Sequence, residues 1–142
     1  MKQYNPKDVI FIFKGRQIKD FVPGSFITAS SNQDMFGDPH IGANGSGTRI
    51  KSNDRSGTVT IRISSSSDDN DTLSAFALLD EKSSAGSGPL LSKDLSGKTI
   101  ISAEVAYLKK FADAEFSNEV TEREWVFATD NLEMYVGGNN NV

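Results

Sequence analysis

Cysteine is absent from this chain, and histidine occurs once, at His40. The first absence removes disulfides and thiolate chemistry. The second removes any metal site built on several imidazoles and leaves little scope for a Ser-His-Asp triad, despite the many serines. An excess of positive charge is also missing: 15 Lys and Arg against 19 Asp and Glu leave a net charge of −4 and a pI near 4.9. That balance does not favour tight binding to a nucleic-acid backbone. Long apolar runs are lacking too. The run near the start, "DVIFIF" at 8–13, is far shorter than the roughly 20 residues a membrane helix needs, and no small-residue cleavage site follows it. The expectation is a protein without a membrane anchor that stays in the cytoplasm where it is made.

What is present suits one domain over residues 1–142, with 37% hydrophobic residues for a single core. "DVIFIF" reads as a strand with Val9, Phe11 and Phe13 on one face and Ile10 and Ile12 on the other, both faces covered. "QIKDFV" is placed to pair back across Gly15, and "VPG" at 22–24 fits a turn. "SFITAS" at 25–30 is a second strand. Residues 31–56 then hold four glycines and few apolar side chains. They form a loop well beyond the roughly 12 to 15 residues already uncommon in a compact domain, and such loops are functional or disordered. "GTVTIRIS" at 57–64 alternates, with Val59, Ile61 and Ile63 inward and Thr58, Thr60 and Arg62 outward. One helix is expected at about 68–83, capped by the Ser and Asp residues from Ser67 to Asp71, with Leu73, Phe76 and Ala77 as its apolar stripe. "KTIISAEVAYLKKF" at 98–111 would place Ile101, Ala103, Val105 and Tyr107 on one face. "REWVFATD" and "LEMYVGG" follow, joined by a tight turn near Asp130 and Asn131. The closing "GGNNNV" is of low complexity and reads as frayed or waiting for a partner. The fold class is mainly β: an antiparallel β-sandwich or partly closed β-barrel with one packed helix and the long loop 31–56.

No chemical motif survives inspection. "GANGSGTR" at 42–49 spaces Gly42 and Gly47 like a phosphate-binding loop, but Thr48 and Arg49 stand where Lys and Ser or Thr are needed, and a strand follows instead of a helix N-terminus. His40 with Asp34 and Asp38 falls short of a metal ligand set. "SSSSDDNDT" lacks the Gly and Glu of a calcium loop and reads better as helix capping. Glu122 and Glu124 share a strand face, an arrangement more common on an exposed strand than in a glycosidase. No enzyme activity, metal or cofactor is expected.

The order of features carries more than any motif. "SGTVTIRISSSSDDNDTLSAF" (56–76), "DLSGKTIISAEVAYLKK" (94–110) and "REWVFATDNLEMYVGGN" (123–139), behind a hairpin and a glycine-rich loop, resemble the tail tube proteins of tailed bacteriophages, especially those with contractile tails. The resemblance spans nearly the whole chain. It implies a structural subunit of the virion tail. Homohexameric rings would stack into a hollow tube through which the genome passes into the host during infection. Related folds build the inner tubes of tailocins and type VI secretion systems. The implied partners are further copies of the chain, a sheath protein outside the tube, baseplate or initiator and terminator proteins at its ends, and passing DNA held without specific binding. Physical sense agrees: edge strands that would otherwise aggregate can join around a ring, and an acidic wall discourages phosphate from sticking. On this reading the loop 31–56 stacks one ring on the next, with Met35, Phe36 and Ile41 as apolar anchors and Asp34, Asp38, Arg49 and Arg55 as rim charges. Thr58, Thr60, Arg62, Ser102 and Glu104 are candidates to face the lumen, Arg62 being of the wrong sign for a purely repulsive wall. Alternatives are another virion part of related fold, such as a terminator or baseplate hub, and a small β-sandwich ligand-binding module, against which the lack of a signal peptide and of an aromatic platform weighs.

Overall fold

A computed structural model of the chain describes residues 1–138; the "NNNV" end of the segment expected to be frayed or waiting for a partner lies outside the described residues. After a short 3-10 turn at Pro6–Asp8 come β1 (Val9–Phe13), β2 (Arg16–Ile18), β3 (Ile27–Ser31), β4 (His40–Ile41), β5 (Gly47–Thr48) and β6 (Gly57–Ser64). Helix α1 (Asp69–Ser83) follows, then β7 (Gly88–Asp94), β8 (Ile100–Leu108), β9 (Glu122–Thr129) and β10 (Glu133–Tyr135). Eight strands form one antiparallel sheet in the order β2-β1-β7-β8-β9-β6-β3, with β10 also on β8; β4 and β5 make a separate hairpin.

The sheet curls round its own core. β1 and β9 are separated by two strands, a distance of about 14 Å in a flat sheet. Yet the rings of Phe13 and Phe127 lie 4.8 Å apart, and those of Phe11 and Phe127 5.4 Å. Two half-sheets therefore face each other across β8: β2-β1-β7-β8 and β8-β9-β6-β3. The outermost strands β2 and β3 do not pair among the described residues, so the barrel stays open. Val59, Ile61, Ile63, Phe11, Phe13, Trp125 and Phe127 fill the interior. The alternation expected of β6 is observed, with Thr58, Thr60 and Arg62 on the other face. Ile10 and Ile12, expected to be covered, are only half-buried on the outer face of β1.

Helix α1 lays Leu73 and Ala77 against this core, with Phe76 edge-on to Phe13 at 5.6 Å. Its first turn ties three elements together. The Ser67 hydroxyl accepts from the Asp69 amide, the Asp69 carboxylate accepts from the Lys19 amide at 2.7 Å, and Asn70 Oδ1 accepts from the Trp125 indole at 3.0 Å. The Asp69 amide is buried and the other two bonds are part-buried; leaving a buried group of this kind unpaired would cost about 1–3 kcal/mol. The β1–β2 turn has positive φ at both Lys14 and Gly15, as a tight hairpin requires. Lys14 is held there by its ammonium, which donates to the Ala85 carbonyl and lies 4.8 Å from the Phe76 ring.

Three local features differ from or add to the sequence pattern. First, "GPLLSKD", to which the pattern assigned no element, forms β7, a strand paired on both sides. Pro89 is tolerated because the β7–β8 register breaks there. Second, β8 does not present Ile101, Ala103, Val105 and Tyr107 on one face. The register passes from Leu90↔Ala103 to Gly88↔Ala106, so β8 carries one extra residue. The inward series becomes Ala103, Ala106 and Leu108, while Val105 and Tyr107 turn outward. Third, Asp130 and Asn131 do not make a hairpin turn. β9 and β10 follow the same edge of β8 in one register, from Leu108↔Phe127 to Ile100↔Tyr135, and are interrupted opposite the bulge. There Thr129 Oγ1 donates to the Val105 carbonyl at 2.7 Å.

Candidate functional site

Residues 32–56 are an ordered arm. Two flanking bonds, Asn32 amide to Ser56 carbonyl and Ser52 amide to Met35 carbonyl, begin a ladder. It continues through the Phe36↔Lys51 bridge and the β4–β5 pairs His40↔Thr48 and Ile41↔Gly47. The "GANGS" run at 42–46 is its tip: the Gly42 amide donates to the Ser46 carbonyl, and Gly45 takes φ +86. The glycines serve a hairpin turn. At the root, the Asp54 carboxylate accepts from both the hydroxyl (2.7 Å) and the amide (2.9 Å) of Ser56. The hydroxyl bond chiefly, then the amide bond, holds this carboxyl below its usual 3.8. Leu132 donates its amide to the Arg55 carbonyl, which fixes the root to the β9–β10 interruption.

All seven arm residues singled out from sequence fall on this hairpin. Met35 (72% exposed) and Ile41 (58%) point to solvent, as does Ile50, which sequence reading passed over. Phe36 is half-buried under the Arg49 guanidinium, 4.2 Å from the ring centre. Asp34, Asp38, Arg49 and Arg55 make no ion pair among the described residues.

The other candidates divide. Thr58, Thr60 and Arg62 share the outer face of β6 with Thr28 and Ser30 of β3 and with Glu122, Glu124, Val126 and Ala128 of β9. The result is a field of small hydroxyl and apolar side chains. Arg62 does not stand there as a free cation: Glu124 lies 3.2 Å and Glu122 3.8 Å from its Nε. One positive and two negative charges leave a single net negative charge. Ser102 lies on the other half-sheet, in a row with Ile12, Leu91 and Glu133, and Glu104 sits in the bulge. The bend in β8 separates them from the Thr58 field. No group of three or more His, Asp or Glu residues is placed to hold a metal among the described residues.

Sequence reading also passed over the β8–β9 connection, residues 109–121. It carries Phe116 (92% exposed), Val120 (71%) and Phe111 (42%). Its own "FADAEFSNEVT" contained the signal: aromatic residues in a segment with no strand or helix to bury them.

No family model matches the chain. It is 27% identical over 124 residues to a structural protein, ORF10, of Pseudomonas phage KPP10, covering 86% of this chain and 71% of that protein. Its fold is that of the tube-terminating cap of the anti-feeding prophage, with a TM-score of 0.62 at 9% identity over 94% of this chain and 91% of the other. The chain is thus similar in sequence to a phage structural protein and similar in fold to a cap that ends a tube.

Proposed function

We propose that the chain is a structural component of a phage tail whose copies join into a ring on the tail tube axis, and that this ring is of the terminating kind. The likeness in fold to a tube-terminating cap, over almost the whole of both chains, carries this reading. The open sheet supports it, since unpaired edges at β2 and β3 are available to neighbouring copies. The Thr58–Thr60 field, with Arg62 neutralised by Glu124 and Glu122, suits a lumen wall that DNA passes without adhering. The ring is homohexameric on this reading, belongs to the virion tail, and meets tube and sheath proteins as partners. The arm is its axial contact, with Met35, Phe36, Ile41 and Ile50 offered to the adjoining ring and Asp34, Asp38, Arg49 and Arg55 around them.

A second reading, a repeating tube subunit, is favoured by the same arm, because a protruding hairpin with exposed apolar side chains fits a contact repeated from ring to ring. Electron microscopy of the purified protein at high concentration separates the two. Isolated six-fold rings are expected for a terminator, and hollow filaments for a tube subunit. A monomer at every concentration would reject both. Deleting residues 35–47 is expected to leave rings intact but abolish their attachment to tubes or to one another; unaltered stacking would remove the arm from this role.

A further inference from the structure

Two surface features lie outside the arm and the polar sheet face. One is a groove of about 700 Å3 along the seam between the half-sheets. Its walls are largely apolar: Val9, Ile18, Phe21, Val22, Pro23 and Phe26, with Phe21 and Phe26 rings 5.0 Å apart. Lys7, Lys19 and Asp20 are its charged residues. The Asp20 carboxylate accepts from the Ser67 hydroxyl at the start of α1, and the lysines are exposed. The second is the β8–β9 connection. Between Phe111 and Thr121 it holds Asp113, Glu115 and Glu119 and no basic residue. Phe116 stands among them, 92% exposed.

This connection is held in shape. Arg123 donates to the Glu115 carbonyl at 3.2 Å, Ser117 brackets Glu119 through the latter's amide and carbonyl, and Thr121 and Ser65 exchange bonds at the base. An aromatic side chain kept on a shaped, acidic loop has already lost part of the entropy that docking removes. Its chemistry complements the groove: an aromatic knob with acidic flanks against an apolar trough with lysines on its rim.

We propose that the Phe116 loop of one copy inserts into the lysine-rimmed groove of the next copy, and that this contact joins neighbours around the ring. The contact is heterologous, as a closed ring requires; because Val120 and Thr121 at the foot of the loop border Phe21, Val22 and Pro23 of the same chain, assembly that stops at a reciprocal dimer would also overturn it. It rests on the reading of the chain as a ring-forming subunit and adds the side chains that close the ring. Phe116 is the buried anchor, Glu115 and Glu119 meet Lys7 and Lys19, and the charge pairs favour this register over others.

The absence of native cysteine makes the contact directly testable. One preparation carries Asn118→Cys, which keeps the Phe116 anchor, and another Val22→Cys. Mixed at a concentration where the unsubstituted protein forms rings, they are expected to give a disulfide-linked pair between the two preparations. In parallel, Phe116→Ser is expected to leave thermal unfolding unchanged, since the side chain is exposed. It should raise the concentration for half-assembly by about tenfold or more, as loss of an anchor does. Glu115→Lys with Glu119→Lys should weaken assembly likewise, and mixing with Lys7→Glu, Lys19→Glu chains should restore it. Rings that form normally with Phe116→Ser, or without the mixed disulfide, would overturn this contact while leaving the ring reading in place. A third preparation bearing both cysteines serves as control: a disulfide that forms only there, within one chain, would place the loop in its own groove and also overturn the contact. A wild-type protein monomeric at all concentrations would remove both readings.

Discussion

At Asp69 a buried carboxylate, 6% exposed, receives the Lys19 amide and one Arg16 nitrogen, so it locks the β2–β3 connection to the start of the helix. Removing it relieves the desolvation of a charge but takes the acceptor from the Lys19 amide and the Arg16 guanidinium at once, and the second effect is the larger. Asp69→Ala is expected to destabilise the fold by about 1–3 kcal/mol in denaturant unfolding. Gly57 is a second such point. A Cβ there would meet the Leu132 side chain and lie 3.0 Å from the Ser30 carbonyl. Gly57→Ala should therefore cost about 1–3 kcal/mol by overpacking. Combined with Leu132→Ala, the loss should be smaller than the sum of the two single losses, which a double-mutant cycle measures. Neither pairing was legible in the sequence. "SGTV" and "DNLE" each look like ordinary strand boundaries, and only the fold brings Gly57 to Leu132.

Among the elements, β6 and α1 were legible because each is periodic along its own length: Val59, Ile61 and Ile63 at a spacing of two, Leu73 and Ala77 one turn apart. β8 was half-legible. Its composition announces a strand, but the bulge moves the inward series from Ala103 to Ala106 rather than to Val105. Deleting Val105 removes the extra residue, so Ala103, Ala106 and Leu108 are expected to alternate inward in simple register and the cooperative thermal transition to survive, whereas deleting Tyr107 would turn Leu108 out of the core and abolish it. The arm is stabilised differently, by backbone bonds and by the Asp54–Ser56 cap at its root. Because the carboxyl is held below 3.8 in the folded chain, its contribution is present above that value and is lost as pH falls through the lowered one. Asp54→Ala should increase amide exchange across residues 35–52 at neutral pH while the central sheet keeps its protection. Equal loosening of sheet and arm would refute that local role.

For the whole molecule, the open seam and the exposed Met35, Ile41, Ile50, Phe116 and Val120 belong together: one copy leaves unsatisfied what several copies can cover. If rings form, the thermal midpoint should rise with protein concentration, since association stabilises only the folded state; a midpoint independent of concentration across the assembly range would contradict it. The arm, though not its role, was legible in outline. Loop length pointed to 31–56, and its apolar residues do lie on a protruding hairpin. The Phe116 loop went unnoticed because an aromatic in a 13-residue connection, 109–121, reads the same whether it is buried or exposed. The sequence alone determined the mainly β class, the single helix, the inward face of β6 and the lack of thiol chemistry. These follow from local periodicity and from residues that are simply absent. The tertiary structure alone decided the strand order, the strand at 88–94, the bulge in β8, the neutralising partners of Arg62 and the exposure of Phe116. Each of those depends on which distant segments share an edge or a surface, and neither backbone hydrogen bonds between strands nor solvent exposure is encoded at any one position.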